Sequence, residues 1–249
     1  MRVDFHAHIL PGVDHGCRDL ESSLTALRKA KAEGADTIIA THHFFPGKDD
    51  LDEFLEKREA ALKKVMSAAK SDEIPNILLG AEVYLITDIV GYERLSELCI
   101  QGTRYLLLEL PYDYWMPWVT KEIYKIIEEE NIIPIIAHVE RYAPVRQNRE
   151  ILGLLSDMGA IIQVNAESLF LRSEARLVKA LLKEGRVDLL GSDAHSANDN
   201  VYFGKAFEKI SKKYGKDYVE LIDMNSKRIL DDQEIIRPIQ HSKYRIFNF

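Results

Sequence analysis

Tyr105-Leu106-Leu107-Leu108-Glu109-Leu110 and Ile132-Ile133-Pro134-Ile135-Ile136-Ala137 are the two stretches that decide the fold. Both are short, and both carry apolar side chains on alternate as well as successive positions. That composition marks a parallel strand covered by helices rather than a half-solvated one. Similar runs start near Val3, Thr37, Ile77, Ala160 and Val187, so seven starts follow one another at 34, 40, 28, 27, 28 and 27 residues. The spacing is close to the ~30 residues of a βαβ unit. Amphipathic stretches lie between them. Leu20, Leu24 and Leu27 fall at i, i+4, i+7, and Leu51, Phe54, Leu55, Leu62, Val65, Met66 and Ala69 hold one helical face. Pro117 suits the first turn of a helix running to about Glu130, and Gly185 the end of one from near Ser173. The pattern predicts an α/β chain of seven strands, each followed by a helix, closed into a (β/α) barrel. An open doubly wound sheet is the alternative, because periodicity does not report closure. No linker or low-complexity tract interrupts the chain, so residues 1–231 are expected to form one domain. Residues 232–249 are expected to form a tail packed on the surface or on a neighbouring subunit.

Of the 249 residues, 46% are apolar and 29% charged, as in globular proteins. Lys and Arg number 33 against 40 Asp and Glu, a net charge of −7 that argues against a nucleic-acid backbone binder. No apolar run approaches the ~18 residues of a membrane span. The start, Met1-Arg2-Val3-Asp4-Phe5-His6, has no signal-peptide stretch, and two cysteines, Cys17 and Cys99, are too few for a disulfide scaffold. The expectation is a globular protein of the cytoplasm.

The histidines are His6, His8, His15, His42, His43, His138, His195 and His241. All but the last fall at, or just beyond, the C-terminal end of a predicted strand, the edge where βα loops build sites. Asp4, Asp14, Glu82, Glu109 and Asp193 are placed at the same edge. One buried histidine is ordinarily a satisfied core residue. Six strands presenting imidazoles and carboxylates at one rim need a compensating cation. His6 and His8 share a strand face, as do Asp193 and His195. The donor types suit Zn, Mn or Fe(II), and the absence of a Cys pair argues against a zinc ribbon. Their number exceeds what one ion uses, and two or three ions suit phosphoryl-ester hydrolysis.

Asp4-Phe5-His6-Ala7-His8-Ile9-Leu10-Pro11-Gly12 resembles the opening of the PHP (polymerase and histidinol phosphatase) family. More closely, it is similar to the bacterial tyrosine-protein phosphatases of capsule and exopolysaccharide operons. The resemblance continues through Ile39-Ala40-Thr41-His42-His43, Gly80-Ala81-Glu82, Leu108-Glu109-Leu110-Pro111, Ile136-Ala137-His138-Val139-Glu140-Arg141, Ser192-Asp193-Ala194-His195 and Asn225-Ser226-Lys227-Arg228-Ile229-Leu230. It implies a distorted (β/α)7 barrel with two or three divalent ions, manganese first and zinc or iron as alternatives. By position it implies one ion on His6, His8, Glu109 and Asp193, and a second on Glu82, bridging Glu109 and His138. A third would take His195, the residue before Gly16, and a histidine of the Thr41-His42-His43 segment. Ungapped alignment selects His43; a one-residue deletion selects His42. Two departures stand out. Asp14-His15-Gly16 replaces the family's Asp-Asp-Gly, which puts His15 in a carboxylate's place, and the stretch 196–205 lacks the arginine the family carries there. Asp14 is a further candidate, as substitute ligand or general acid.

The implied activity is phosphomonoester hydrolysis by metal-activated hydroxide, on a phosphotyrosyl protein such as a bacterial tyrosine kinase tail. Arg141 is the candidate to fork two phosphate oxygens; the alternative is a surface ion pair with Glu140 or Glu150. Tyr112, Tyr114, Trp115 and Trp118 crowd the loop after Glu109. Tyr112 and Trp115 either stack on the phosphotyrosyl ring or pack beneath the loop. Cys17 has no Cys-x5-Arg cradle, which argues against a thiol phosphatase. Other readings are a small-molecule phosphatase of the histidinol-phosphate type, or a metal-binding regulatory protein. A homo-oligomer stays open.

Overall fold

The computed structural model describes residues 1–237 apart from 71 and 200. All its paired strands are parallel, but there are nine rather than seven among the described residues. They are β1 (Val3–Ala7), β2 (Thr37–Ala40), β3 (His43–Phe44), β4 (Asn76–Leu79), β5 (Glu82–Tyr84), β6 (Tyr105–Glu109), β7 (Ile133–Ile136), β8 (Ile161–Asn165) and β9 (Leu189–Gly191). The second and third expected strands are each broken in two, at Thr41-His42 and at Gly80-Ala81. The breaks divide the ladder into β1-β2-β4 and β3-β5-β6-β7-β8-β9. They also re-aim the chain, as irregularities at sheet ends do, and bring His43 into register with Glu82. At the other edge the chain after β9 returns to β1: Asp193 N donates to His6 O at 2.6 Å and His8 N to Ala194 O at 2.8 Å.

The helices are α1 (Leu20–Ala32), α2 (Leu51–Ala68), α3 (Pro117–Glu130), α4 (Ala143–Gln147), α5 (Ile151–Asp157), α6 (Ala175–Lys183), α7 (Phe203–Tyr214) and α8 (Lys216–Leu230). Pro117 opens α3 as expected. No α-helix follows β5, where two 3₁₀ turns, Ile89–Gly91 and Leu95–Leu98, take its place. Each is entered through a residue at positive φ, Asp88 and Arg94, which prevents a longer helix from forming. On α2 the inward face is Phe54, Arg58, Ala61 and Val65, while Met66 is exposed. Arg58 takes an interior position because its guanidinium donates to Gly80 O at 2.6 Å and Glu97 O at 3.3 Å.

Strand alternation explains the doubly apolar runs. Leu106 and Leu108 pack toward the helices in one hydrophobic cluster, whereas Tyr105 and Leu107 join Val3, Phe5, Ile135 and Leu189 in a second. Each such leucine contributes roughly 1.5–3 kcal/mol of burial. Glu109 follows Leu107 by two residues and lies at the strand's C-terminal end, where this second cluster gives way to polar groups. The start of the expected tail packs on its own chain: Tyr105 OH donates to Gln233 O, Ile236 pairs with the Asn225 amide, and Arg237 reaches Asp188 at 2.7 Å. Residues 238–249, His241 among them, lie outside the described residues.

Candidate metal centre

Side chains from β1, β3, β5 and β6 meet those of the turns after β7 and β9. His6 Nε2 is 3.1 Å from His8 Nε2 and 3.3 Å from both Glu82 Oε2 and Asp193 Oδ1. Glu82 Oε2 is also 3.3 Å from His8 Nε2 and 3.0 Å from His43 Nδ1, and its Oε1 is 3.0 Å from His138 Nε2. Glu109 Oε1 lies 3.6 Å from that His138 nitrogen and accepts from the Tyr112 hydroxyl at 2.6 Å. The His195 ring stacks on His8 at 4.0 Å. His15, although exposed, stacks at 4.9 Å from His43 and 4.8 Å from His195. The nine expected ligands, His6, His8, His15, His43, Glu82, Glu109, His138, Asp193 and His195, thus share one rim.

Close backbone approaches make this possible. A Cβ on Gly191 would sit 2.6 Å from His6 Cβ, and one on Gly16 would sit 2.2 Å from His8 O. His138 and Asp193 hold φ of 31° and 55°, a left-handed conformation uncommon for non-glycine residues.

Asp14 and His42 stand behind the rim. Asp14 Oδ1 accepts from His42 Nδ1 and Gly16 N, both at 2.9 Å; its Oδ2 accepts from His8 Nδ1 at 2.6 Å and His43 N at 3.0 Å. Four donors surround its two oxygens, and one of those oxygens also lies within 4.8 Å of ring nitrogens of His15 and His43. Burial opposes its charge, but the bonds from His42 and His8 overcome that and hold the carboxyl far below its usual range. His42 Nε2 accepts from Leu10 N at 3.0 Å, which puts its proton on Nδ1, toward Asp14. Both His42 nitrogens are engaged, leaving His43 as the residue of that segment facing Glu82.

Charge is balanced within the cluster. Burial acts against a protonated His8, yet Asp14 and Glu82 push its pKa up to about 10. Burial also acts against the charge of Glu82, and His6 and the bond from His138 hold it well below the usual range. Asp193 is lowered likewise, by His6 and Arg141. Burial, then cationic His8, pulls His195 down to about 4. Arg141 Nη1 lies 2.6 Å from Asp193 Oδ2 with its side chain 37% exposed, at the mouth of the site. The alternative partners are taken elsewhere: Glu140 accepts from Asn165 N and Ser168 Oγ, and Glu150 pairs with Arg186.

Tyr112 and Trp115 have structural contacts. The Tyr112 ring stacks 5.8 Å from His138, and Trp115 Nε1 donates to Pro111 O at 2.8 Å. Asp4 is not at the rim. It is buried on β1 against the chain after β9, accepting from Ser192 N at 2.7 Å, and burial raises its pKa to about 6. Two supporting residues escaped the sequence reading. Gln163 Oε1 accepts from His138 N at 2.6 Å and its amide donates to Asn165 Oδ1, whose own amide donates to Asp193 Oδ2 at 3.0 Å. Their signal was present: two amides at i, i+2 in an otherwise apolar strand.

The donor set fits divalent ions. Metal–ligand bonds of about 2.0–2.2 Å place neighbouring donors roughly 3.0–3.6 Å apart, the range seen here. Glu82 Oε2 is buried with three imidazole nitrogens around it, yet makes no directional hydrogen bond to them. An acceptor so placed is oriented for a cation at its centre.

A parallel α/β fold with this many imidazoles and carboxylates on its C-terminal rim defines the class: a metal-dependent enzyme scaffold. A profile described as "Capsular polysaccharide synthesis, CpsB/CapC" matches residues 2–231, and the chain belongs to that family. It is 30% identical to the tyrosine-protein phosphatase YwqE of Bacillus subtilis, over 99% of both chains. It is 30% identical to the tyrosine-protein phosphatase CpsB of Streptococcus pneumoniae, over 94% of this chain and all of that one. Among solved structures, a chain described under crystal structures of YwqE from Bacillus subtilis and CpsB from Streptococcus pneumoniae, metal-dependent tyrosine phosphatases, matches with a TM-score of 0.85 at 26% identity, over 98% of this chain and 100% of the other. The histidinol phosphate phosphatase of Lactococcus lactis shares the fold, with a TM-score of 0.53 at 18% identity, over 86% and 94% of the two chains.

Proposed function

We propose that this chain is a metal-dependent protein-tyrosine phosphatase, built as a distorted (β/α)7 barrel over residues 1–231. Its substrate is a phosphotyrosyl segment of a bacterial tyrosine kinase of polysaccharide synthesis, and its location is the cytoplasm. The observation that carries the reading is the convergence of His6, His8, Glu82, His138 and Asp193 within 3.0–3.6 Å, with the Arg141 guanidinium beside them. His6, His8, Glu109 and Asp193 would hold one ion, Glu82, Glu109 and His138 a second, and His15, His43 and His195 a third. Manganese is the first choice. Bound there, divalent ions would supply charge neutralisation for phosphoryl oxygens and acidify water.

The chain's own groups do the rest. Arg141, anchored by Asp193 and open to solvent, binds and orients the phosphate dianion. Glu82, Glu109 and Asp193 are the only carboxylates in the proposed ligand set, so three divalent ions leave the site strongly cationic and selective for a dianionic monoester. Asp14 holds the His8 ring with Nε2 facing inward, and the Tyr112 hydroxyl fixes Glu109. A tyrosyl leaving group, with an unperturbed pKa of about 10, departs with less acid assistance than an alkoxide. Phosphate release from a phosphotyrosyl peptide and from histidinol phosphate, under added Mn, tests the reading. Preference for the peptide is expected; preference for histidinol phosphate would move the assignment to a small-molecule phosphatase.

A further inference from the structure

Phe45 follows β3 directly and borders the centre beside His43. Its ring lies 5.7 Å from that of His43, at 25°, and 5.8 Å from that of Tyr84. Its backbone is clamped by the turn that follows: Phe45 N donates to Asp49 Oδ2 at 2.7 Å, and Phe45 O accepts from Lys48 N and Asp49 N, both at 3.0 Å. Lys48 Nζ stands 5.5 Å from the Phe45 ring centre. With His15, His43, Lys48 and Lys57, the half-buried Phe45 walls a cavity of about 300 Å³. Asp49 and Asp50, in the same wall, are turned to backbone: Asp49 holds Phe45 N, and Asp50 caps α2 by accepting from Glu53 N at 2.9 Å.

We infer that this cavity receives the aryl ring of the phosphotyrosyl substrate, with Phe45 as its stacking wall and Lys48 at the rim; the inference rests on the phosphatase reading and deepens it. In an aryl phosphate the ester oxygen is bonded directly to the ring. A ring whose phosphate reaches the His15–His43 side of the centre enters the cavity that those histidines wall, and Phe45 lines that cavity. The clamp on the Phe45 backbone means that little ordering is needed when the ring arrives. An alkyl phosphate, as in phosphoserine, has no flat face to cover Phe45. The wall therefore acts on specificity rather than on the reacting atoms.

The test compares kcat and KM of the Mn-loaded protein on a phosphotyrosyl and a phosphoseryl peptide of one sequence, for wild type, Phe45→Ala and Phe45→Trp. Phe45→Ala is expected to raise KM for the phosphotyrosyl peptide roughly three- to tenfold, the worth of one aromatic pair, and to lower the aryl-over-alkyl ratio of kcat/KM by the same factor. Phe45→Trp should restore both. An unchanged ratio in Phe45→Ala would overturn the inference. Wild-type protein that hydrolysed neither peptide would instead remove the phosphatase reading. Saturation-transfer NMR with phenylphosphonate then decides the ring site alone: transfer to its ring protons that is lost in Phe45→Ala supports it, and equal transfer in both proteins overturns it.

Discussion

The carboxylate of Asp14 lies 2.6 Å from Nδ1 of His8, the imidazole whose Nε2 faces Glu82 and Asp193. The same carboxylate holds His42, so the pair behind the rim fixes the direction in which His8 Nε2 points. Partners of this kind typically govern metal affinity by 10–100-fold. Asp14→Asn keeps the shape but removes the charge and two acceptor sites. It should lower Mn affinity in calorimetry by about one to two orders of magnitude. His42→Gln, which acts on His8 only through Asp14, should cost less. Unchanged affinity in Asp14→Asn would show that His8 needs no such support.

Arg141 is expected to bind phosphate rather than metal. Arg141→Lys keeps a cation near Asp193 but loses the planar fork. Inhibition by inorganic phosphate should weaken about tenfold, while metal content after dialysis stays at the wild-type value. Loss of bound metal in this variant would assign Arg141 to the integrity of the centre instead.

His15 is proposed as a ligand of the third ion. An imidazole there is a softer and neutral donor, so Zn or Fe(II) should be favoured over Mn relative to a carboxylate. His15→Asp should therefore raise Mn occupancy. Metal analysis of both proteins after loading with Mn checks this, and identical Mn content would remove His15 from the ligand set.

Cys17 lines a cavity beside His15 and His195, and burial pushes its thiol up to about 11. A raised thiol pKa means that the reactive thiolate is scarce below that pH and grows as pH rises. At pH 8 roughly one molecule in a thousand carries it. Alkylation of native protein should be negligible at pH 8 and accelerate toward pH 11, and Cys17→Ser should retain turnover. Rapid labelling at pH 7 that abolished activity would point to thiol chemistry.

Strand positions were legible because Leu106, Leu107 and Leu108 must all be buried, and a parallel strand is the element that buries successive residues on opposite faces. The rim was legible because His6, Glu109 and Asp193 each fall at or near the C-terminal end of such a run. The breaks at Thr41-His42 and Gly80-Ala81 were not, since a two-residue interruption leaves the apolar pattern almost unchanged and is set by how the sheet curls. The roles of Asp14 and His42 were hidden for another reason. Nothing in residue type separates a carboxylate that binds an ion from one that accepts four hydrogen bonds; only the positions of His8, Gly16 and the His43 amide do. Phe45 was passed over because the denser aromatic group at Tyr112–Trp118 gave the stronger signal.

Whether turnover belongs to ions held by this rim is read from phosphate release from a phosphotyrosyl peptide by protein stripped with a chelator, dialysed, and then reloaded with Mn, with metal content followed at each stage. Activity should disappear with the metal and return as two to three ions per chain are restored. Turnover that persists in metal-free protein would contradict that dependence.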